Sequence, residues 1–295
     1  MRALLEDIAK EVRPLAETGT VAQYIPALAA VPPSKFGMAL VRADGETFTV
    51  GDAEEPFSIQ SISKLFALSI AMEWLGDALW ARVAREPSGM RFNSIIQLET
   101  EGGIPRNPFI NAGAIVTTDA LLAHDTSYRD LLLGEIRLLS GNPDVAYDDE
   151  VHRSEIRTGD LNRAMAFVLK AHKNLNGDPL KVTEAYFGAC SIAMSALDLA
   201  RAAMFLVAPQ QGRTICGEGL HARRIRAIMR TCGLYDQSGE FAFQVGLAGK
   251  SGVGGGILVV QPNQFAACVW SPPLDQYGNS VAGQAALEKL ALELL

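Results

Sequence analysis

Apolar residues between Arg2 and Val12 recur every three to four positions, with acids and bases between them. That spacing predicts an amphipathic helix on a surface, without the continuous apolar core of an export signal. Val21 to Leu28 reads as a short helix or turn. Gly37 to Val41 and Thr47 to Val50 then flank Ala43-Asp44-Gly45, and Asp-Gly between two apolar runs predicts a hairpin. Leu65 to Met72 is apolar on every face, and no Pro or Gly interrupts it before Gly76, which predicts a buried helix. From there to about Tyr235 the pattern is mostly helical. Helices are expected at Ser127 to Leu139, Asp160 to Ala171, Ser195 to Val207 and Glu218 to Arg230, and another opens at Asn111 after the loop Gly102 to Pro108. Strand signals return at Phe241 to Val245, Gly256 to Val260 and Phe265 to Trp270, before a last helix from about Ala282 to Leu294.

Two strands near the start and three near the end predict an antiparallel sheet of about five strands. The fold class is therefore mixed α/β (α+β): the sheet is flanked by terminal helices and interrupted by a large all-helical insertion. One catalytic domain over residues 1–295 is expected, with a sheet part near 1–60 and 236–295 and a helical part near 61–235. A site between the two parts would fall at the entrance of the Leu65 helix.

The net charge of −7 comes without any Lys/Arg run, which argues against nucleic acid or an anionic membrane as partner. No apolar run is long enough to span a bilayer, so a cytoplasmic protein is expected. Cys190, Cys216, Cys232 and Cys268 lack metal-ligand spacing and read as small buried hydrophobes. His124, His152, His172 and His221 sit in polar, helix-like stretches and read as surface residues. With no histidine placed to serve a nucleophile, lysine is the candidate base.

Ser61 and Lys64 form the only Ser/Thr-x-x-Lys pair in the chain, at the mouth of the buried helix. Residues three apart share a helix face, so the amine can reach the hydroxyl. A serine needs a base to become a nucleophile, and an apolar wall can lower a lysine pKa far enough for that task. The free N–H groups of a helix start, Ser61's own among them, can hold an oxyanion. Near the other end, Lys250-Ser251-Gly252-Val253-Gly254-Gly255-Gly256 enters a strand. Glycines there allow a close approach, either to line a site or simply to turn a hairpin. Ser-x-x-Lys followed by Lys-Thr-Gly is the pairing found in serine β-lactamases and penicillin-binding proteins, and Lys250-Ser251-Gly252 here follows Ser61-x-x-Lys64 in the same order.

The chain resembles more closely the serine-dependent bacterial glutaminases, which share the β-lactamase-like fold. The resemblance runs from about Tyr24 to Val260. Gln23 to Pro26, Gln60 to Lys64, Glu86 to Asn93 and Asn107 to Ile115 carry its first half. Ser154-Glu155 with Asn162, Tyr186 before Cys190-Ser191-Ile192, Cys232 to Asp236 and Lys250 to Ile257 carry the second. It implies hydrolysis of L-glutamine to L-glutamate and ammonia, without cofactor or metal. In that likeness Ser61 is the nucleophile, Lys64 its base, and Tyr235 the proton relay to ammonia. The N–H groups of Ser61 and Val253 form the oxyanion hole. Tyr24, Asn111, Glu155, Asn162 and Tyr186, with Ser61, Tyr235 and Val253, bind or enclose the substrate. A homotetramer is also implied.

Substrate chemistry agrees with that list: the ammonium of glutamine needs an anion, which Glu155 can supply, and its carboxylate needs donors such as Asn111, Asn162 and tyrosine hydroxyls. Taken singly, each residue has a plainer reading. Glu155 could be a solvated helix acid, Asn111 a helix N-cap, and Tyr186 and Tyr235 half-buried core tyrosines. A β-lactamase or transpeptidase and a catalytically silent amino-acid sensor on the same scaffold are the rival functions.

Overall fold

The computed structural model describes residues 1–208 and 219–294. Eight strands are numbered in chain order. Five form one antiparallel sheet in the order β2-β1-β8-β7-β6, built from β1 (Gly37–Arg42), β2 (Thr47–Gly51), β6 (Ala248–Gly252), β7 (Gly256–Gln261) and β8 (Phe265–Trp270). The hairpin expected around Asp44-Gly45 pairs Val41 with Thr47, and β8 then inserts beside β1. Alternate residues of these strands feed two cores. Met38, Leu40, Ile257 and Val259 pack with the terminal helices Arg2–Val12 and Val281–Leu294. Ala39, Val41, Leu258 and Val260 face the other way, against Leu65, Leu68 and Leu199. A strand buried on both faces loses the in-out alternation of polarity, which is why these segments read as continuous apolar runs.

The Ser63–Leu75 helix is buried from Ser63 to Met72 and forms the centre of the helical part. Asn111–His124 packs beside it and is buried from Asn111 to Leu121. The expected helices appear as Tyr128–Ser140, Asp160–Ala171, Ala196–Ala202 with a following 3-10 turn, and Gly219–Cys232. The expected start of the last at Glu218 lies outside the described residues, as does Cys216.

Three expectations need correcting. Phe241 to Val245 is not a strand but the end of the Ser238–Gln244 helix with its C-cap Val245, and the fifth strand is Ala248–Gly252. A strand would put Phe241, Phe243 and Val245 on one face, whereas Phe241 and Val245 are buried and Phe243 is 83% exposed, a period of four. The helical part is not purely helical: β3 (Phe57–Ser58), β5 (Ile192–Met194) and β4 (Ala146–Tyr147) make a small second sheet. Strands of two or three residues carry no readable alternation. Finally, His124 and His172 are exposed, but His152 and His221 are half-buried.

Candidate functional site

Ser61 lies in a 3-10 turn, Gln60–Ile62, that leads directly into the Ser63–Leu75 helix. The residue before it, Gln60, has φ of +48°, a left-handed conformation that costs energy in a non-glycine residue. This bend puts Ser61 at the wall of a pocket rather than inside the helix. The β6–β7 turn closes over it. A Cβ on Gly252 would stand 3.2 Å from Ser61 N and 2.5 Å from Ile59 O, and one on Gly254 would meet Ser58 O at 2.2 Å. Both glycines are therefore required for the Val253 backbone to reach the serine. Among the described residues, neither the Ser61 nor the Val253 N–H is engaged by a backbone carbonyl.

The pocket is lined by Tyr24, Gln60, Ser61, Asn111, Glu155, Asn162, Tyr186 and Val253, with Phe92, Asn93 and Cys190 also in its wall. Residues expected to act together thus converge from segments as distant in the chain as Tyr24 and Val253. Lys64 stands just behind, 3% exposed, and its Nζ donates to Asn111 Oδ1 at 2.7 Å and to Phe109 O at 3.1 Å. Ser61 Oγ is not among its hydrogen-bond partners, so the direct contact expected from the i, i+3 spacing is replaced by one to Asn111. An amide carbonyl accepts more strongly than a hydroxyl and takes the amine first. Burial pushes the Lys64 pKa down to about 8.

Asn111 is the hub. The helix N-cap is Ile110, so the plain capping role falls away. The Asn111 Oδ1 accepts from Lys64 and, at 3.2 Å, from the Tyr186 hydroxyl, while its Nδ2 donates to Asn162 Oδ1 at 2.9 Å. These partners fix which end of the amide is which.

Glu155 projects from the helix Asp149–Thr158 and is 5% exposed, not a solvated surface acid. Burial raises its pKa to about 7, against a hydrogen bond from Gln60 and the charge of Lys64. Tyr186, on the helix Pro179–Cys190, is pushed well up by burial. Tyr24 has 57% of its surface exposed, yet burial of its hydroxyl, with the charges of Tyr235 and Glu155 adding to it, raises its pKa too.

Tyr235 also has a left-handed backbone, φ +56°, and its ring packs on Phe92 at 4.5 Å between centroids. Burial raises its pKa to about 12, with the hydroxyls of Ser61 and Ser251 opposing the rise. It faces both of these groups but completes a hydrogen bond with neither.

No group of three His, Cys, Asp or Glu side chains able to hold a metal occurs among the described residues, and none of the four histidines lines the pocket. Cys190, Cys232 and Cys268 are buried; burial raises the Cys190 thiol to about 12, so it stays protonated.

The glutaminase family profile matches residues 19–294, nearly the whole chain. The chain belongs to the glutaminase family. The glutaminase of Paraburkholderia phytofirmans is 51% identical over 292 residues, covering 98% of this chain and 96% of that protein. That of Aeromonas hydrophila is 50% identical over 295 residues, covering 99% and 96%. Among solved structures, the probable glutaminase ybaS superposes with a TM-score of 0.88 at 36% identity, over 97% of both chains. A Bacillus subtilis probable glutaminase gives 0.91 at 31% identity, over 99% and 96%. The fold is accordingly β-lactamase-like, and the protein is an enzyme that hydrolyses glutamine.

Some glutaminase pocket residues carried no expected role. Gln60, Phe92, Asn93 and Cys190 stand inside the motifs that mark the family, so their motif membership was the available signal. Lys250 was legible as part of a glycine-rich stretch and of the Lys-Ser-Gly motif but carried no expected role, and it is fully buried beneath Tyr235.

Proposed function

We propose that glutamine is hydrolysed here through a serine acyl-enzyme. Glutamine enters with its side-chain amide toward Ser61. Its ammonium meets Glu155, and its carboxylate is held by N–H and O–H donors of Asn111, Asn162, Tyr186 and Tyr24. Ser61 Oγ attacks the amide carbon while Lys64 Nζ takes the hydroxyl proton. Charge gathers on the amide oxygen, where the N–H groups of Ser61 and Val253 receive it. Tyr235 hands a proton to the departing nitrogen, ammonia leaves, and water then cleaves the γ-glutamyl ester by the same steps in reverse.

One observation carries this reading: Ser61, the Val253 turn, Glu155 and the Asn111 hub wall a single pocket, with a lysine of lowered pKa behind it. The assay that tests it is ammonia release from glutamine and from asparagine, by the unmodified protein and by Ser61→Ala.

Glu155→Gln is expected to raise KM for glutamine by about 10–100-fold with a smaller change in kcat, the worth of one charge-assisted hydrogen bond. An unchanged KM would mean the ammonium is bound elsewhere.

We further propose a cytoplasmic homotetramer, on the family likeness and on the lack, among the described residues, of a helix long and apolar enough to cross a membrane. Sedimentation equilibrium should return about four times the chain mass of 31.6 kDa. A monomer at micromolar concentration would overturn it.

A further inference from the structure

Lys250 is wholly buried in β6, yet it forms no ion pair among the described residues. Its Nζ donates to Ser251 O at 2.6 Å and to Gly233 O at 3.0 Å. It also stands 4.7 Å from the centroid of the Tyr235 ring and 5.5 Å from that of Phe109. A lysine buried without a counter-ion costs stability, and methionine would fill the same space without that cost. The position therefore calls for a role other than packing.

The surroundings indicate one. Gly233 O collects Lys250 Nζ, Ser251 N at 3.1 Å and Ser251 Oγ at 3.4 Å, so the strand grips the turn two residues before Tyr235. That turn sits tightly on β6: a Cβ on Gly233 would lie 1.8 Å from Gly249 O. The Tyr235 hydroxyl completes no hydrogen bond with its neighbours, so nothing at that end fixes its aim. Its direction has to come from the backbone behind it and from the faces of its ring. Phe92 packs against the ring, and Lys250 points a donor at it while holding the backbone that carries it. Burial and the nearby Lys64 charge push the Lys250 pKa well down, which favours the neutral amine, and an N–H over an aromatic face is itself weakly attractive.

We propose that Lys250 is a positioning residue: it pins the Gly233 carbonyl and the Tyr235 ring together, and so holds the Tyr235 hydroxyl against Ser61. Lys250 does not line the pocket; it acts through Tyr235. This rests on the reading of Tyr235 as proton donor to the departing nitrogen.

The test compares Lys250→Met, Tyr235→Phe and the double variant on glutamine and on L-glutamate γ-methyl ester. An ester oxygen departs with far less help from an acid than an amide nitrogen does. Lys250→Met should lower kcat for glutamine by about 10–100-fold with KM within about threefold, a share of what general acid catalysis supplies. Its loss on the ester should be at least about tenfold smaller, and the double variant should be no slower than Tyr235→Phe alone. A purely structural lysine would lower Tm and slow both substrates alike. Losses that multiply in the double variant, an effect confined to KM, or unchanged kcat would each overturn the proposal. If Lys250→Met does not fold, Lys250→Gln, whose amide can still donate to one carbonyl, carries the same comparison. If neither folds, Lys250 is a structural residue only and the proposal falls. Tyr235→Phe that keeps full activity would refute the proton-donor reading instead, whatever Lys250 does.

Discussion

Ser61→Ala is expected to lower ammonia release from glutamine by at least about 10⁴-fold while leaving the fold intact, since the proposed acyl-enzyme route then has no nucleophile. Stability should hardly change. The Ser61 side chain faces Tyr235 and anchors no other group among the described residues, so alanine forfeits at most about 1 kcal/mol. Thermal melting should therefore match that of the unmodified protein within a few degrees, and binding of L-glutamate should persist because the Glu155 and Asn111 contacts remain. Asparagine provides the companion control. It is one methylene shorter, so seating its ammonium on Glu155 withdraws its amide from Ser61, leaving groups unpaired at roughly 1–3 kcal/mol each. Turnover by Ser61→Ala within about a hundredfold of the unmodified enzyme would exclude the serine as nucleophile, because oxyanion contacts and binding alone leave far less.

Lys64→Met is expected to cost about 10³-fold in kcat/KM, in the range of a general base. Methionine keeps the volume but removes the proton acceptor. It also takes one donor from Phe109 O and leaves Asn111 Oδ1 with the Tyr186 hydroxyl alone, so Tm should fall as well. The pH profile separates the two effects. In the proposed mechanism Lys64 must be neutral to act as base, and burial lowers its pKa to about 8. In the same proposal Glu155 must be ionised to hold the ammonium, and burial raises its pKa to about 7. Both requirements are met by losing a proton, so kcat/KM of the unmodified enzyme should climb with pH. It should rise steeply below about 7, less steeply to about 8, and then level off. In Glu155→Gln the lower step should vanish and the upper one stay. Lys64→Met should lose the upper step, and a profile unchanged by Lys64→Met would rule the lysine out as base.

Much of this molecule is legible in the chain itself. The Leu65 to Met72 run cannot be exposed on any face, so its burial at the centre follows from composition alone. Asp44-Gly45 between apolar runs and the long terminal helices are equally local, and the structure places them as read. Phe241 to Val245 failed because five apolar-rich residues fit either period, and only the exposure of Phe243 distinguishes them. The strands β3, β4 and β5 are too short to have a period, and exist because Ile59 and Asp148 find carbonyl partners on the Ser191–Ile192 segment.

What the sequence determined by itself is the inventory: a serine and a lysine one turn apart, a glycine-rich strand entry, and the ordered motifs of a glutaminase. Those are short-range patterns, and local sterics and hydrogen bonding are enough to specify them. Tertiary structure alone decided the distances between them. It turned Lys64 onto Asn111 rather than Ser61, buried Glu155, and set Lys250 under Tyr235. Each of these depends on which distant side chain fills the space next door, and the order of residues in a chain carries no such information until packing brings them together.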